Sequence, residues 1–129
     1  MKKSKETLEL FIPGTPYART KSKGRLGAPK AWTQTVIEQT SHLPQIPGAC
    51  ELDVVFILPA DKFPSDLPFG MDLDNLLKRL MDALGQTVLR DAPGRDSAVM
   101  ALHARKRRAQ PGETPGAAIS FRPLASVTV

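Results

Sequence analysis

The sequence predicts an α/β or α+β domain in which a small mixed β-sheet packs with two main helices. Short apolar segments with strand character alternate with one segment whose leucines recur at helical spacing. Proline and glycine clusters separate these segments, as is typical of turns and loops. The chain has 129 residues, which suits a single hydrophobic core, so we expect one domain over 1–129 with flexible termini.

The first predicted strand covers residues 7–12 and stops at Pro13-Gly14, a turn signal. Residues 15–30 are predicted to form a loop that is rich in lysine and arginine. A short helix is expected over 31–41, with Trp32 and Val36 facing inward.

A second strand is predicted over 51–58, and its apolar core over 54–58 indicates burial on both faces. Residues 59–70 contain three prolines and are expected to form a loop. Phe69 in this loop is a candidate wedge between unstacked bases, or it folds back onto the core.

The strongest helical pattern is an apolar stripe that must face a core. Its members are Leu73, Leu76, Leu77, Leu80 and Leu84. Asp72 is a natural N-cap for this helix, and Gly85 is a natural stop at its C-terminal end.

Three more strands are predicted beyond this helix. A short one covers Thr87–Arg90 and a longer one Ser97–Arg105, with Ala98, Met100, Leu102 and Ala104 on one face. A loop over 109–117 leads to a last strand over 118–121. The expected order is therefore β-α-β-α-β-β-β.

The chain is basic, with 18 Lys and Arg against 13 Asp and Glu, a net charge of +5. One cluster lies in the 15–30 loop, where no acid interrupts it, and a second runs without interruption from Arg105 to Arg108. The first cluster consists of Arg19, Lys21, Lys23, Arg25 and Lys30. Such clusters attract phosphate backbones, although isolated runs are also common as solvated charge. Two clusters in so small a domain favour nucleic acid as the partner, and His103 is a further candidate phosphate contact.

Several classes of protein are disfavoured. No apolar run is long enough to span a bilayer, and the basic N-terminus lacks the apolar region of a signal peptide, so no membrane partner is expected. The single cysteine, Cys50, cannot form an internal disulfide and fits a reducing cytoplasm. His42 and His103 stand far apart without the spaced partners of a zinc site.

The motif that carries chemistry is the acid pair Asp72 and Asp74 at the start of the leucine-rich helix. Within a regular helix two residues at this spacing point about 200° apart. With Asp72 as the cap and Asp74 in the first turn, however, both carboxylates can approach one cation near the positive end of the helix dipole. Lys78 lies on the face of Asp74, one turn later, where it can pair with that acid or reach a phosphate. The alternative is a simple helix cap followed by a surface ion pair.

The segment from Asp72 to Lys78, Asp-Leu-Asp-Asn-Leu-Leu-Lys, followed by Asp82-Ala83-Leu84, resembles the signature of the RusA family of Holliday junction resolvases. The opening Phe11-Ile12-Pro13-Gly14-Thr15-Pro16 and the basic segment behind it are similar to that family's first strand and basic loop. The resemblance covers roughly residues 8–121.

The resemblance implies a RusA-like fold, a homodimer and a magnesium-dependent endodeoxyribonuclease that resolves four-way DNA junctions by paired symmetric nicks. Mg²⁺, for which Mn²⁺ would substitute, is then held by Asp72, Asp74 and a third aspartate. Lys78 would stabilise charge in the transition state, and Asn75 would orient Asp72 or a metal-bound water. The DNA contacts would come from the 15–30 loop, Phe69 and the second basic cluster with Arg105, Lys106 and Arg107. The resemblance also implies a cytoplasmic protein of bacterial or phage origin.

The third acid departs from the family pattern, which has two adjacent aspartates before Gln-Val. Here residues 92–95 separate Asp91 from Asp96. Because Asp96 runs directly into the next predicted strand, we favour it as the third ligand, with Asp91 as the alternative. An insertion beside the metal also leaves open a non-catalytic relative that binds branched DNA with a disrupted metal site.

Overall fold

The computed structural model describes residues 7–16, 27–59, 73–92 and 95–124, with only the backbone described for 27–30, 95 and 96. In chain order the elements are strand β1 (Leu8–Pro13), helix α1 (Gly27–Thr40), strand β2 (Cys50–Leu58), helix α2 (Leu73–Leu84), a 3₁₀ turn (Arg95–Ala98), strand β3 (Val99–Arg108) and strand β4 (Gly116–Pro123).

The four strands form one mixed sheet in the order β1-β4-β2-β3. Strand β4 is antiparallel to both of its neighbours, whereas β2 and β3 are parallel. A parallel pair needs a crossover connection, and here α2 lies in that connection. The small mixed sheet with two helices that the sequence predicts is therefore confirmed.

The two faces of the sheet differ because the helices pack on only one of them. On the helix face, alternate residues of β2 such as Leu52 and Phe56 are fully buried, together with Phe121 of β4. On the opposite face, which we call the open face, Glu51 and Asp53 are half-buried. The burial on both faces that is predicted for residues 54–58 is confirmed for Val54, Phe56, Ile57 and Leu58, whereas Val55 is half-buried.

Helix α2 begins at Leu73, directly after the predicted cap, and buries Leu76, Leu80 and Leu84 completely. It ends at Leu84 as predicted, but by a different mechanism. The positive-φ glycines of the described residues do not include Gly85, whose N–H donates to the Met81 carbonyl at 2.9 Å. The chain therefore leaves the helix through further turns and without a left-handed glycine.

The predicted strand over Thr87–Arg90 is wrong, because these residues form successive turns. Their polar groups are held by the segment around the end of α1. The Thr87 and Thr40 hydroxyls lie 2.8 Å apart in a buried hydrogen bond, and Gln45 Nε2 donates to the Thr87 carbonyl at 2.6 Å. With these groups satisfied, the turns can bury Leu89 without a neighbouring strand.

Strand β3 is an edge strand and runs further than predicted, through the whole basic cluster to Arg108. Its register shifts opposite Cys50 and Glu51, where Val99 and then Ala101 are paired and Met100 is passed over. Of the four residues predicted to share one face, Ala98 is buried and Ala104 half-buried, whereas Met100 is 65% exposed and Leu102 42% exposed.

The connection from β3 to β4, which passes over β2, contains an ion pair. Arg107 donates two hydrogen bonds to the Glu113 carboxylate, at 2.7 and 2.6 Å, and the Gln110 N–H donates a third at 2.9 Å. The Arg107 hydrogen bonds, reinforced by that of Gln110, lower the pKa of Glu113 to about 2. The Glu113 carboxylate thereby holds the side chain of Arg107, one member of the second basic cluster.

Strand β4 starts at a glycine because β1 approaches closely there. A Cβ on Gly116 would overlap the Ile12 carbonyl oxygen and lie 2.6 Å from Phe11 Cζ. We expect Gly116→Ala to lower the free energy of unfolding by about 1–3 kcal/mol or more, since the clash involves backbone. Gly48→Ala is the matched control, because nothing lies within 4 Å of its added Cβ. Urea denaturation compares the two, and equal midpoints would contradict this account of the β1–β4 contact.

The Glu113 carboxylate makes the free energy of unfolding depend on pH. Because its folded pKa of about 2 lies below the ordinary value of 4.5, its contribution is fully present above pH 4.5 and disappears as the pH falls toward 2. Glu113→Gln should therefore melt at a lower temperature than wild type at pH 6. This difference in melting temperature should disappear as the pH falls from 4.5 to about 2. Glu38→Gln, an exposed acid on α1, serves as the control, and a difference that persists at pH 2 would refute the assignment.

Candidate functional site

The start of α2 presents polar side chains to solvent. Asp74 lies in the first turn and is exposed, as are Asn75 and, one turn later, Lys78. Asp72 lies outside the described residues, although the helix starts immediately after it. No ion pair joins Asp74 to Lys78 among the described side chains. Both are therefore available to a ligand at the positive end of the helix dipole.

The two candidates for the third acid lie on different segments. Asp91 is exposed in the turns after α2, where its N–H donates to Gln45 Oε1 at 2.9 Å and its carboxylate lies 3.7 Å from Arg90 Nε. Asp96 belongs to the 3₁₀ turn, which contacts α2, while its side chain is outside the described set. The backbone thus brings the favoured Asp96 segment against the helix that carries Asp74.

The first basic cluster falls mostly outside the described residues, as does Phe69. The cluster members concerned are Arg19, Lys21, Lys23 and Arg25. Lys30 is described by its backbone, which lies in the first turns of α1. The predicted loop over 15–30 is therefore wrong for its last four residues, which are helical.

The second basic cluster lies along the edge strand and alternates between the two sides of the sheet. Arg105 pairs in register with Val55 and faces the open side, with Arg107 two residues further on. Arg107 is tied to Glu113, whereas Arg105 is exposed and makes no ion pair within the described part of the chain. Lys106 points to the other side and is already engaged in an interaction. Arg105 is thus the member best placed to meet a phosphate.

A second group of polar residues converges on the open face. Glu51 and Asp53 lie two apart on β2, and His103 of β3 is the register partner of Asp53. Each offers one ligand atom, and these atoms all lie within 4.8 Å of one another. Glu51 Oε2 lies 3.5 Å from His103 Nε2, while Arg122 Nη2 lies 2.7 Å from the other oxygen. Glu51, Asp53 and His103 could hold a metal ion.

Sequence reasoning missed this cluster because His103 and the two acids lie far apart along the chain. The acids alternate with buried residues on β2, which signals that they share a face. The partner strand and its register, however, are set by long-range pairing. The sequence argument considers His103 as a phosphate contact and finds no spaced zinc partners for it, because its neighbours Glu51 and Asp53 come from a distant strand.

The cluster lies in a shallow depression of about 740 Å³ that Arg105 also lines. Two carboxylates and an arginine therefore face the same solvent-filled space. A phosphate near Arg105 would meet repulsion from Glu51 and Asp53 unless a cation neutralised them.

None of the helices in the described ranges is long and apolar enough to cross a membrane. No protein-family model matches the sequence, and a search of curated proteins finds no match. The likeness to RusA resolvases therefore depends on the motif residues themselves.

Proposed function

We propose that this protein is a magnesium-dependent, structure-selective endodeoxyribonuclease that resolves four-way DNA junctions by paired symmetric nicks. The observation that carries the proposal is the start of α2. An exposed Asp74 lies in the first turn of a helix, two residues after Asp72, and an exposed Lys78 lies one turn later. The exposure of Asp74 and Lys78 supports the role that the resemblance to the Asp-x-Asp-Asn-x-x-Lys motif implies for them.

The proposed ligands of Mg²⁺ are Asp72, Asp74 and Asp96, with Asp91 as the alternative to Asp96. Asp74 suits this role because it supplies a solvent-facing carboxylate oxygen, the donor that Mg²⁺ prefers. When bound, the ion would polarise the scissile phosphodiester and lower the pKa of a coordinated water. Lys78 would place its ammonium against the negative charge that develops on the phosphate, and Asn75 would orient Asp72.

The DNA would lie against the basic clusters. On β3 the exposed Arg105 would contribute a phosphate contact, while the ion pair with Glu113 holds the nearby Arg107 side chain in place. The 15–30 loop would add further phosphate contacts. A two-fold homodimer would match the symmetry of a four-way junction and supply a catalytic site for each nick.

A binding protein without nuclease activity is the second candidate. The specific observation in its favour is the separation of Asp91 from Asp96, where the turn carrying Asp91 is held to Gln45. If neither acid reaches the cation, the basic clusters would still bind branched DNA.

Asp74→Asn is the variant that tests the nuclease proposal. We expect it to reduce magnesium-dependent cleavage of a labelled four-way junction by at least about 100-fold, because a direct ligand is lost. Junction binding should persist or tighten, since a negative charge near the phosphates is removed. Asp82→Asn, which changes another exposed acid of α2, is the control and should cut as wild type does.

The assay includes linear duplex of the same sequence and a reaction with EDTA. Cleavage by Asp74→Asn at the wild-type rate would exclude the proposed metal site. Tight junction binding with no nicks by any form would select the binding protein. Absence of any preference for the junction would refute both candidates.

The third ligand is identified by comparing Asp96→Asn with Asp91→Asn in the same assay. We expect the Asp96 variant to lose cleavage by a similarly large factor and the Asp91 variant to stay within a few-fold of wild type. The reverse result would assign Asp91, and two equally mild effects would exclude both.

A further inference from the structure

We propose that Glu51, Asp53 and His103 form a second metal site, specific for divalent transition-metal cations such as Zn²⁺ or Co²⁺. The site lies on the open face of the sheet, whereas α2 and its Asp74 belong to the helix face. It is therefore distinct from the cation site of the proposed nuclease, and it does not depend on that function.

The three side chains are carried by paired strands rather than by loops. Strand β2 is hydrogen-bonded on both sides, and Glu51 and Asp53 project from the same face of it. His103 sits directly beside Asp53 in the parallel ladder. The backbone that positions all three is thus already ordered, so binding a cation requires only side-chain adjustment.

The spacing of the ligand atoms is close to that of a coordinated ion. Ligand atoms around a tetrahedral Zn²⁺ lie about 3.4 Å apart, given bond lengths near 2.1 Å. Glu51 Oε2 and His103 Nε2 already lie 3.5 Å apart, and all three ligand atoms lie within 4.8 Å of one another. Small rotations about the side-chain bonds of Asp53 and the exposed His103 would bring the set to coordination distance.

Arg122 orients the Glu51 carboxylate for this role. Its Nη2 lies 2.7 Å from Oε1, which leaves Oε2 facing the imidazole. Hydrogen bonds of this kind from a neighbouring residue commonly fix the ligands of metal sites.

Asp53 supplies an independent indication of a cation. It is half-buried, yet it makes no hydrogen bond or ion pair to any residue in the described ranges. A partly desolvated carboxylate beside a second carboxylate is unfavourable unless positive charge lies near both. Arg122 bonds to Glu51 and Arg105 lines the same depression, but neither arginine bonds to Asp53, whereas a cation shared by the two acids and His103 would contact all three.

The donor set selects the kind of ion. One imidazole nitrogen with two carboxylate oxygens suits zinc and its neighbours in the first transition series, whereas Mg²⁺ and Ca²⁺ prefer oxygen alone. Cys50, next to Glu51, does not contribute, because it is fully buried on the helix face and burial raises the pKa of its thiol. Three protein ligands would leave a coordination position for water.

The test is a titration of the full chain with Co²⁺, followed by its visible absorption, and with Zn²⁺ by calorimetry. We expect one Co²⁺ or Zn²⁺ per chain to stay bound in a hundredfold excess of Mg²⁺, which would occupy the proposed site at α2. His103→Ala and Asp53→Asn should each weaken binding at least about 10- to 100-fold. His42→Ala changes the chain's other histidine, which is exposed on the turn after α1, and should bind as wild type does.

Asp74→Asn separates this site from the proposed nuclease centre and should retain Co²⁺ binding in full. Zn²⁺ should also raise the melting temperature of wild type and of His42→Ala but not of His103→Ala. A normal melting transition of His103→Ala without this shift would show that the variant folds but lacks the site. The proposal is wrong if wild type binds no Co²⁺ at millimolar concentration, if His103→Ala binds it normally, or if Asp74→Asn or excess Mg²⁺ abolishes binding.

Discussion

Burial of the α2 leucines in the core on the helix face of the sheet is the contact on which the other features of this structure depend. Leu76, Leu80 and Leu84 are completely buried with Leu52 and Phe56 of β2, and each such side chain contributes about 1.5–3 kcal/mol. This packing fixes the rotation of α2, so its polar residues must face solvent. It also places the helices on one side of the sheet, which leaves the polar residues of β2 on the other.

The features that local sequence dictates could be predicted. The bounds of α2 follow from its leucine spacing, and the exposure of Asp74 follows from its place outside that stripe. Features that depend on distant partners could not. The chain over Thr87–Arg90 has strand-like composition, but hydrogen bonds to Thr40 and Gln45 stabilise it as turns. Similarly, Met100 lies exposed because of a register shift that no local pattern encodes.

The two acidic groups of the molecule differ in how they are built. At α2 the positive end of the helix dipole favours the ionised carboxylates and phosphate oxygens, and oxygen is the only donor that the proposed ligands offer. On the open face, strand pairing supplies the geometry, and an imidazole joins two carboxylates. The oxygen-only site at α2 would therefore favour Mg²⁺, whereas the site that includes an imidazole would favour transition-metal cations.

The basic edge of the sheet has a consequence for how copies of this protein meet. Strand β3 is 10 residues long and occupies the sheet edge, where unpaired backbone groups can template pairing with another chain. The run from Arg105 to Arg108 gives every copy the same positive edge, so two such edges repel each other. High salt weakens this repulsion, because the screening length is only about 3 Å at 1 M. These basic side chains would thus protect the free protein from edge-to-edge aggregation. If DNA binds there as proposed, the DNA itself would cover the edge.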